Sequence, residues 1–434
     1  MGRRRLVPVL VLTSSKVAPG SARELLRDPA LAAAVGVAVV VGLGFGLVVP
    51  VLPLLARSFG VSLFAVSSLV AVFAGTRLVS NIAAGAVADR IGSRNAIGAG
   101  VLIVGVSSAL CAVAATFPLL LVVRGAGGFG SALFFNALLS SVVQRVGPDR
   151  RGRAVGLLQG AFLFGIGVGP SIGGLLAEPL GLRWPFVVYA GACFASAAVA
   201  FRFLPADAAP TMGLRGVSDE PVAAAAPSRR SSSPAAHRRR DAGVWLRDPT
   251  FLAALIMMAA SRWSAAGVRF SLIPVYAEEV VGVSARVLGV ALTLAAATHL
   301  LVLGPAGRIA DLRGRRALAF PAFLGFAVIA GSVAVATQAW SFLLVMSLYG
   351  IGTGFTSIAP AAIVGDIAPP ERAGSAIGVL NTFGDLGSVL GPLTSGWLAD
   401  QAGYGWGFGL AAGLLAVAAG AAFAMRETLP SHVP

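Results

Sequence analysis

The sequence predicts an all-α membrane protein with twelve transmembrane helices in two pseudo-symmetric halves of six. Three observations predict this fold class. Only 12% of the 434 residues are charged, whereas 57% are hydrophobic. Apolar runs of about 20 residues recur along the chain, and each is long enough to cross the hydrocarbon core of a bilayer. Several motifs also return after 222 residues, since 311 − 89 = 222 for the aspartates of two similar charged turns. The six-span unit is therefore expected to occur twice.

The spans and their connections follow the apolar runs. The expected organisation is a cytoplasmic N-terminal tail at 1–29, a first half at 30–204, a disordered cytoplasmic linker at 205–249, a second half at 250–425 and a cytoplasmic C-terminal tail at 426–434. The twelve predicted spans cover 30–55, 62–88, 95–115, 118–143, 154–178, 184–204, 250–276, 286–310, 317–336, 340–366, 375–398 and 405–425.

The distribution of positive charge predicts the orientation. With the N-terminus inside, about 26 of the 33 Lys and Arg residues fall in the tails and inner loops. Only Arg57, Arg183 and Arg286 fall in outer loops. Both termini are therefore expected in the cytoplasm, with the chain in the cell (inner) membrane. The net charge of +15 reflects this topology and not nucleic-acid binding, because the basic residues are spread over many short loops.

The remaining composition excludes several classes of protein. The two cysteines, Cys111 and Cys193, lie in apolar runs and are expected to be core residues. No metal cluster, hydrolase triad or phosphate-binding loop stands out, so no cofactor and no enzymatic activity are expected. The linker is rich in Ala, Pro, Ser and Arg, and its basic clusters at 229–230 and 238–240 are expected to contact anionic membrane lipid.

Two charged turns carry the repeat, GAVADRIGSR at 85–94 and GRIADLRGRR at 307–316. They resemble the signature G-x-x-x-D-R-x-G-R-R of the major facilitator superfamily of secondary transporters. The first turn has Ser93 at one basic position, and the second has Leu312 in place of the arginine. The resemblance implies the major facilitator fold and an inner gate. The matching residues are Gly85, Asp89, Arg90, Gly92 and Arg94 in the first half, and Gly307, Asp311, Gly314, Arg315 and Arg316 in the second.

An acid that often accompanies this gate is present in one half only. Asp366 ends span 10, and its counterpart 222 residues earlier is Gln144. The gate network is therefore expected to be altered. Asp89 is expected to face the positive N-terminus of span 11 near Gly374 instead.

Span 5 carries a glycine pattern that resembles the antiporter motif of the twelve-helix drug/proton antiporter branch. Three of its glycines recur every four residues, which leaves a smooth stripe for close packing against another helix. The resemblance implies export, and the stripe is expected to close the outer face. Residues 43–53 of span 1, LGFGLVVPVLP, resemble a motif of the same branch. The span 5 residues are Gly156, Gly165, Gly169, Pro170, Gly173 and Gly174.

Ionisable residues inside the spans are the candidates for substrate binding and proton coupling, because charge at this depth is costly unless it faces a cavity or a partner. Asp385 is the leading proton carrier and His299 its rival, with a fixed ion pair as the alternative role for Asp385. Arg124, in RGAGGFGSA at 124–132, resembles a family arginine linked to proton coupling. The candidate cavity residues Arg77, Arg262, Arg269 and His299 favour an anionic or at least non-cationic substrate.

The expected function is secondary active transport, namely proton-coupled efflux of a small organic molecule or drug by alternating access. An alternative is a transporter that takes up or exchanges an anionic metabolite. A membrane receptor that binds without transporting is a third possibility, although a static binder needs no paired gates. The expected partners are a small-molecule substrate, protons and membrane lipid, and the chain is expected to act as a monomer.

Overall fold

The computed structural model describes residues 25–146, 150–205, 248–369 and 372–429. The predicted linker and most of the N-terminal tail lie outside these residues. All regular secondary structure in the described residues is helical. Spans 2 to 6 are Leu63–Ile91, Ser93–Val113, Phe117–Arg145, Arg151–Leu180 and Trp184–Phe203. Spans 8 to 12 are Ala285–Arg313, Arg315–Ser332, Ala339–Ile367, Ala373–Ala402 and Tyr404–Ala424.

Spans 1 and 7, the first span of each half, are both interrupted. Span 1 consists of helices Pro29–Val48 and Val51–Arg57, with the break next to Pro50, which cannot donate a helical hydrogen bond. Span 7 consists of Pro249–Trp263, a π-helical stretch Ser264–Leu272, and Ile273–Glu279.

The same local signal starts both of these spans. Each begins at the proline of an Asp-Pro pair in the repeated sequence LRDP. The carboxylate of Asp28 accepts a hydrogen bond from the N–H of Ala30 at 2.9 Å, and that of Asp248 from the N–H of Thr250 at 2.8 Å. Aspartate at the N-cap with proline in the first turn satisfies the free end of a helix.

In the part of the chain that the structure describes, eleven spans are long and apolar enough to cross a membrane. Span 11 is as long as the others, with 30 residues, but Gly, Ser, Thr, Asn and Asp lower its hydropathy. Span 11 packs against span 7 of its own half and span 2 of the other half, so neighbouring helices lie against its polar residues. The chain is a multi-pass membrane protein built on two six-helix halves.

Glycines bring span 5 against span 1. A Cβ on Gly165 would lie 2.5 Å from the backbone nitrogen of Leu43, and one on Gly169 would lie 2.6 Å from the Cα of Gly46. The second half repeats this packing between spans 11 and 7. A Cβ on Gly391, the counterpart of Gly169, would lie 2.6 Å from the carbonyl oxygen of Trp263. Each half is therefore held together by a glycine-lined contact between two of its own helices.

The bundle has two different ends. We call the end that carries turns 89–94 and 311–316 the charged face, and the end that carries loops 58–62 and 280–284 the distal face. Spans 5 and 8, and spans 2 and 11, make the main contacts between the halves. On spans 5 and 11, a Cβ added to Gly156 or Gly378 near the charged face would have nothing within 4 Å. The halves thus meet towards the distal face and separate towards the charged face.

Candidate functional site

An ion pair lies at the centre of the distal face. Arg57 at the end of span 1 donates from Nε to the carboxylate of Glu279 at the end of span 7, at 2.5 Å. Tyr404 donates its hydroxyl to the same carboxylate at 2.6 Å. Arg57 and Glu279 are 222 residues apart, so they occupy equivalent positions in the two halves. The contact therefore lies on the pseudo-two-fold axis and joins the halves there.

Two carboxylates at equivalent positions in the two halves form further contacts between the halves, one on either side of this axis. Asp400 at the end of span 11 accepts hydrogen bonds from the N–H groups of Leu63 and Phe64, both at 2.8 Å, at the start of span 2. Glu178 at the end of span 5 is its counterpart and pairs with Arg286 at the start of span 8, at 2.8 Å. Carboxylates at helix N-termini are favourable, because the unpaired N–H groups there carry partial positive charge.

Hydroxyl groups continue these contacts below the distal face. Ser271 and Ser67 are hydrogen-bonded across spans 7 and 2 at 2.6 Å, and both are fully buried. Thr293 in span 8 accepts from the N–H of Ser171 in span 5 at 3.1 Å. The interface between the halves is therefore polar and buried near the distal face.

The span 5 stripe differs from its expected role. Gly165, Gly169 and Gly173 all pack on span 1 of the same half. The contact with span 8 of the other half is made one residue away, where a Cβ on Gly174 would meet the backbone of Ala285 and Arg286. The stripe holds one half together, and its neighbours on the helix take part in closing the distal face.

The two charged turns differ in their contacts. In the second, Arg315 donates from Nη1 to Asp311 at 2.7 Å and from Nε to Asp366 at 3.0 Å, which ties span 8 to spans 9 and 10. The first turn has Ser93 at the position of Arg315. Asp89 is exposed there and forms no ion pair with a described residue. Asp89 makes no hydrogen bond with a described residue, and its expected position facing the N-terminus of span 11 near Gly374 stays a prediction.

The segment after span 12 folds back onto the second charged turn. The carboxylate of Glu427 accepts from the N–H groups of Arg315 at 2.7 Å and Arg316 at 3.0 Å. Burial of this carboxyl raises its pKa, but hydrogen bonds from four backbone N–H groups outweigh burial, so the pKa lies below its ordinary value. A side chain at Gly314, where φ is 103°, would collide with the Glu427 carboxylate. Thr428 adds a hydrogen bond to Asp366 at 2.9 Å.

Charged residues from both halves meet in the space between them. Arg77 in span 2 is half-buried, with its guanidinium 5.6 Å from the centre of the Phe135 ring. Asp385 in span 11 and Arg262 in span 7 are the charged groups near enough to interact with Arg77. Asp385 is half-buried and forms no ion pair within 4 Å among the described residues, which leaves its carboxylate without a fixed partner.

Arg124 lies apart from this group. It is only 7% exposed, and its guanidinium lies 4.3 Å from the ring centre of Phe73 and 5.8 Å from that of Phe45. Two aromatic faces therefore stabilise its charge inside the first half. Its counterpart Met346 is fully buried in the second half.

Arg269 and His299 form a polar group in the second half. Arg269 reaches span 8, where its Nη2 donates to the carbonyl oxygen of Leu292 at 3.3 Å. It therefore points into the bundle and does not extend to the membrane surface. The Nδ1 of His299 lies 3.1 Å from the hydroxyl of Thr353 in span 10. His299 and Arg269 are close enough to interact electrostatically.

The residues that join the halves at the distal face were not predicted from the sequence. A signal for them exists in the 222-residue interval, which pairs Arg57 with Glu279 and Glu178 with Asp400. This signal is easily overlooked, because the few basic residues in the predicted outer loops are noticed only as exceptions to the charge distribution. Phe135 and Thr353 were also missed, since a lone aromatic or hydroxyl residue in a membrane helix is not distinctive.

Comparison with known proteins agrees with this geometry. The family model described as Major Facilitator Superfamily matches residues 34–284 and again 258–434. An uncharacterized MFS-type transporter of Methanocaldococcus jannaschii is 22% identical over 365 residues, 83% of this chain and 89% of that protein. Multidrug resistance protein 1 of Bacillus subtilis is 35% identical over 144 residues, 33% of this chain and 37% of that protein.

Solved structures share the fold at low identity. A bacterial homolog of the human lysosomal transporter Spinster, in an inward-facing and unoccupied conformation, has a TM-score of 0.72 at 16% identity and covers 93% of this chain and 97% of that one. The D-xylose-proton symporter has a TM-score of 0.71 at 17% identity, with 92% and 99% covered. The two halves and the family match over nearly the whole chain lead to one conclusion: the chain belongs to the major facilitator superfamily.

Proposed function

We propose that the chain exports a small organic molecule in exchange for protons, by alternating access. The position of Asp385 carries the proposal. Its carboxylate is half-buried between the halves, near Arg77 of the opposite half and without an ion pair among the described residues. A carboxylate so placed can take a proton from one side of the membrane and release it to the other when the halves rock.

The arrangement of the two faces supports alternating access. We propose that the charged face is cytoplasmic, as the Lys and Arg distribution predicts. The distal contacts then close the outer side, and the space between the halves opens inwards. In the opposite state these contacts separate and the charged turns approach the other half. Asp89, exposed in the present conformation, would then gain a partner, and Asp89→Asn is expected to favour the inward-open form.

Export as the direction of transport rests on the span 5 pattern and on the multidrug-resistance names of several partial relatives. Those relatives are similar to the chain over 22% to 33% of its length. We further propose that the protein acts as a monomer in the inner membrane, with both termini in the cytoplasm.

The excess of arginine over carboxylate favours a second candidate function. Arg77, Arg262 and Arg269 outnumber Asp385 among the charged residues placed between or next to the halves. Such a site suits an anionic metabolite, carried by uptake or exchange. The negative charge of Asp385 competes with a substrate anion for Arg77 and Arg262, and protonation of Asp385 removes this competition. Binding of a proton would therefore favour binding of the anion, and the two would move in the same direction.

Transport in liposomes tests both candidates. Purified protein is reconstituted with an imposed pH gradient, and ethidium and p-aminohippurate serve as cationic and anionic probes. Proton-coupled export predicts probe flux opposite to proton flux, whereas the second candidate predicts flux in the same direction. Asp385→Asn should abolish the flux driven by the gradient and retain probe exchange without a gradient.

Asp28→Asn is the matched control, because Asp28 caps span 1 far from the space between the halves. It should transport normally. Accumulation of probe against its gradient by Asp385→Asn would show that Asp385 is not the proton carrier, and His299→Gln would be the next variant to test.

A further inference from the structure

An aromatic pair connects several helices of the first half. The rings of Phe135 in span 4 and Phe162 in span 5 are inclined by 56° to each other, with their centres 5.6 Å apart. The guanidinium of Arg77 in span 2 lies 5.6 Å from the centre of the Phe135 ring. A Cβ added to Gly42 of span 1 would lie 3.1 Å from Cδ2 of Phe162. The pair therefore lies among spans 1, 2, 4 and 5.

This position places the pair beside the space between the halves. Spans 2 and 5 make the main contacts of the first half with the second, whereas spans 3 and 6 pack against each other and make none of these contacts. A side chain that lies among spans 1, 2, 4 and 5 is therefore on the side of its half that faces the other half. Both rings are only half-buried, so part of each aromatic surface is open there.

A second aromatic cluster in the same half shows a closed arrangement for comparison. The guanidinium of Arg124 lies 4.3 Å from the ring centre of Phe73 and 5.8 Å from that of Phe45. Arg124 is 7% exposed and Phe73 is 9% exposed, so this cluster belongs to the packed interior of the half. The open surface of Phe135 and Phe162 is therefore not a general property of the aromatic residues in these spans.

The repeat shows that the fold does not require an aromatic pair at this depth. At the positions 222 residues later, the second half has Ser357 in place of Phe135 and Gly384 in place of Phe162. A Cβ on Gly384 would lie 3.1 Å from Cγ of Arg262 and from Cγ of Met258, so a ring there would be obstructed. The equivalent positions thus offer an aromatic surface in the first half only, and its open part indicates a ligand.

The geometry of the pair favours a further ring. Aromatic groups prefer offset or edge-to-face contacts with centres about 4.5–7 Å apart, and these contacts stabilise beyond the burial of the same area. The planar guanidinium of arginine also stacks on aromatic faces. A saturated ring of similar size is buried equally well but cannot make these contacts. The surface should therefore distinguish an aromatic ring from an aliphatic one.

We propose that Phe135 and Phe162 form a binding site for an aromatic ring of the transported molecule. The ring lies against the open parts of both side chains, beside the guanidinium of Arg77. Recognition depends on the ring and not on a net charge of the ligand, so neutral aromatic compounds bind. The proposal rests on the proposed transport function only in that the bound molecule is the transported one.

Displacement of a bound fluorescent compound tests the site without a pH gradient. The neutral aromatic probe 7-amino-4-methylcoumarin is added to the purified full chain in detergent, and its fluorescence anisotropy reports binding. Two neutral competitors of similar size are compared, 2-naphthamide and its saturated analogue decahydronaphthalene-2-carboxamide. Empty micelles provide the correction for partition of each compound into detergent. The site predicts that 2-naphthamide displaces the probe at about one-fifth of the concentration that the saturated compound needs.

Variants of the pair separate ring contacts from burial. Phe135→Leu and Phe162→Leu should each reduce the preference for 2-naphthamide to below about twofold, since leucine retains an apolar side chain without a ring. Phe135→Tyr should retain most of the preference. The saturated compound should still displace the probe in every variant, which verifies that the variants are folded.

Phe320→Leu is the matched control. Phe320 and Phe423 form a pair of nearly the same geometry, with ring centres 5.3 Å apart and 54° between the rings. This pair joins spans 9 and 12, which make none of the main contacts with the first half. Phe320→Leu should therefore retain the preference of the parent protein.

Equal displacement by the two competitors in the parent protein would overturn the proposal, as would a preference that survives in either Phe135→Leu or Phe162→Leu. Loss of the preference in Phe320→Leu would also overturn it, because the effect would not be local to the proposed site. If displacement behaves as expected while the liposomes show no proton-coupled export, the aromatic site stands and the proposed export does not. Export without any preference for the aromatic competitor would give the reverse result.

Discussion

Glu427 connects the end of the chain to the second charged turn through backbone hydrogen bonds. It caps the N-terminus of span 9, where two unpaired N–H groups would otherwise face solvent. Pro205 occupies the equivalent position in the first half, and it has no side-chain acceptor. The cap is therefore a feature of one half, like the ion pairs of Arg315 beside it.

The Glu427 cap should make stability depend on acid pH. The pKa of this carboxyl is lower in the folded protein than the ordinary value of 4.5. Its contribution is therefore complete above pH 4.5 and is lost as the pH falls through the lower native value. Thermal unfolding of the parent protein and of Glu427→Gln should differ near neutral pH and converge in acid.

Asp89→Asn is a suitable comparison, since it removes an exposed carboxylate that is not ion-paired with a described residue. A difference between the parent protein and Glu427→Gln that stays constant down to about pH 3 would contradict the role of this carboxylate as a cap.

Helix packing within span 5 depends on where along the helix a glycine lies. Gly169 touches the backbone of span 1, whereas Gly160 on the same helix has nothing within 4 Å of a Cβ. Larger side chains at tightly packed positions force helices apart and typically cost about 1–3 kcal/mol or more.

Gly169→Leu should therefore destabilise the first half itself, with a lower midpoint of thermal unfolding and a lower yield of folded protein. Gly160→Leu should retain the parent stability, because its side chain enters open space. Equal stability of the two variants would show that the contact between spans 1 and 5 does not depend on the glycines. Full transport by Gly169→Leu would also remove the support that the span 5 pattern gives to export.

The sequence predicts the helices well, for a simple reason. A helix that crosses the membrane core needs a long apolar run, and such runs are visible in the sequence. Span 11 is too polar to be identified from hydropathy alone, but the 222-residue repeat predicts it. The partner of each helix is harder to predict. The stripe Gly165, Gly169 and Gly173 shows that one face is smooth, but not that span 1 lies against it. The π-helical stretch of span 7 also leaves no signal in the pattern of residues.

The two halves together form the candidate site, and this limits what the sequence reveals. Asp385 lies near enough to Arg77 to interact with it electrostatically across the interface, yet their separation along the chain matches no repeat interval. The repeat predicts which residues are equivalent and does not predict which residues touch. Residues on the axis are the exception, because equivalent positions there must be neighbours.

Closure of the distal face should respond to the charges of Arg57 and Glu279. Arg57→Glu or Glu279→Arg alone places like charges together, whereas the double exchange restores opposite charges. Each side chain is about one-third exposed, so the pair is expected to contribute at most about 1 kcal/mol, or about a fivefold change in population. Alkylation of Ser67→Cys, buried beneath this face, by an impermeant maleimide reports the opening.

Both single exchanges should speed alkylation, and the double exchange should return it towards the parent rate. Arg286→Gln, which breaks the pair with Glu178 away from the axis, provides a comparison for the loss of a single ion pair. If the double exchange is as open as either single one, the contact at the axis does not hold the face closed.

The Arg57–Glu279 pair also bears on the ancestry of the molecule. Had the halves once been identical subunits, the axis would have brought two copies of the same side chain together. Two arginines or two glutamates would repel each other there, so the present attraction became possible only after the two copies had diverged at this position. The Arg57–Glu279 contact in its present form is thus younger than the fold, and a reconstructed symmetric ancestor should require an uncharged residue at this position.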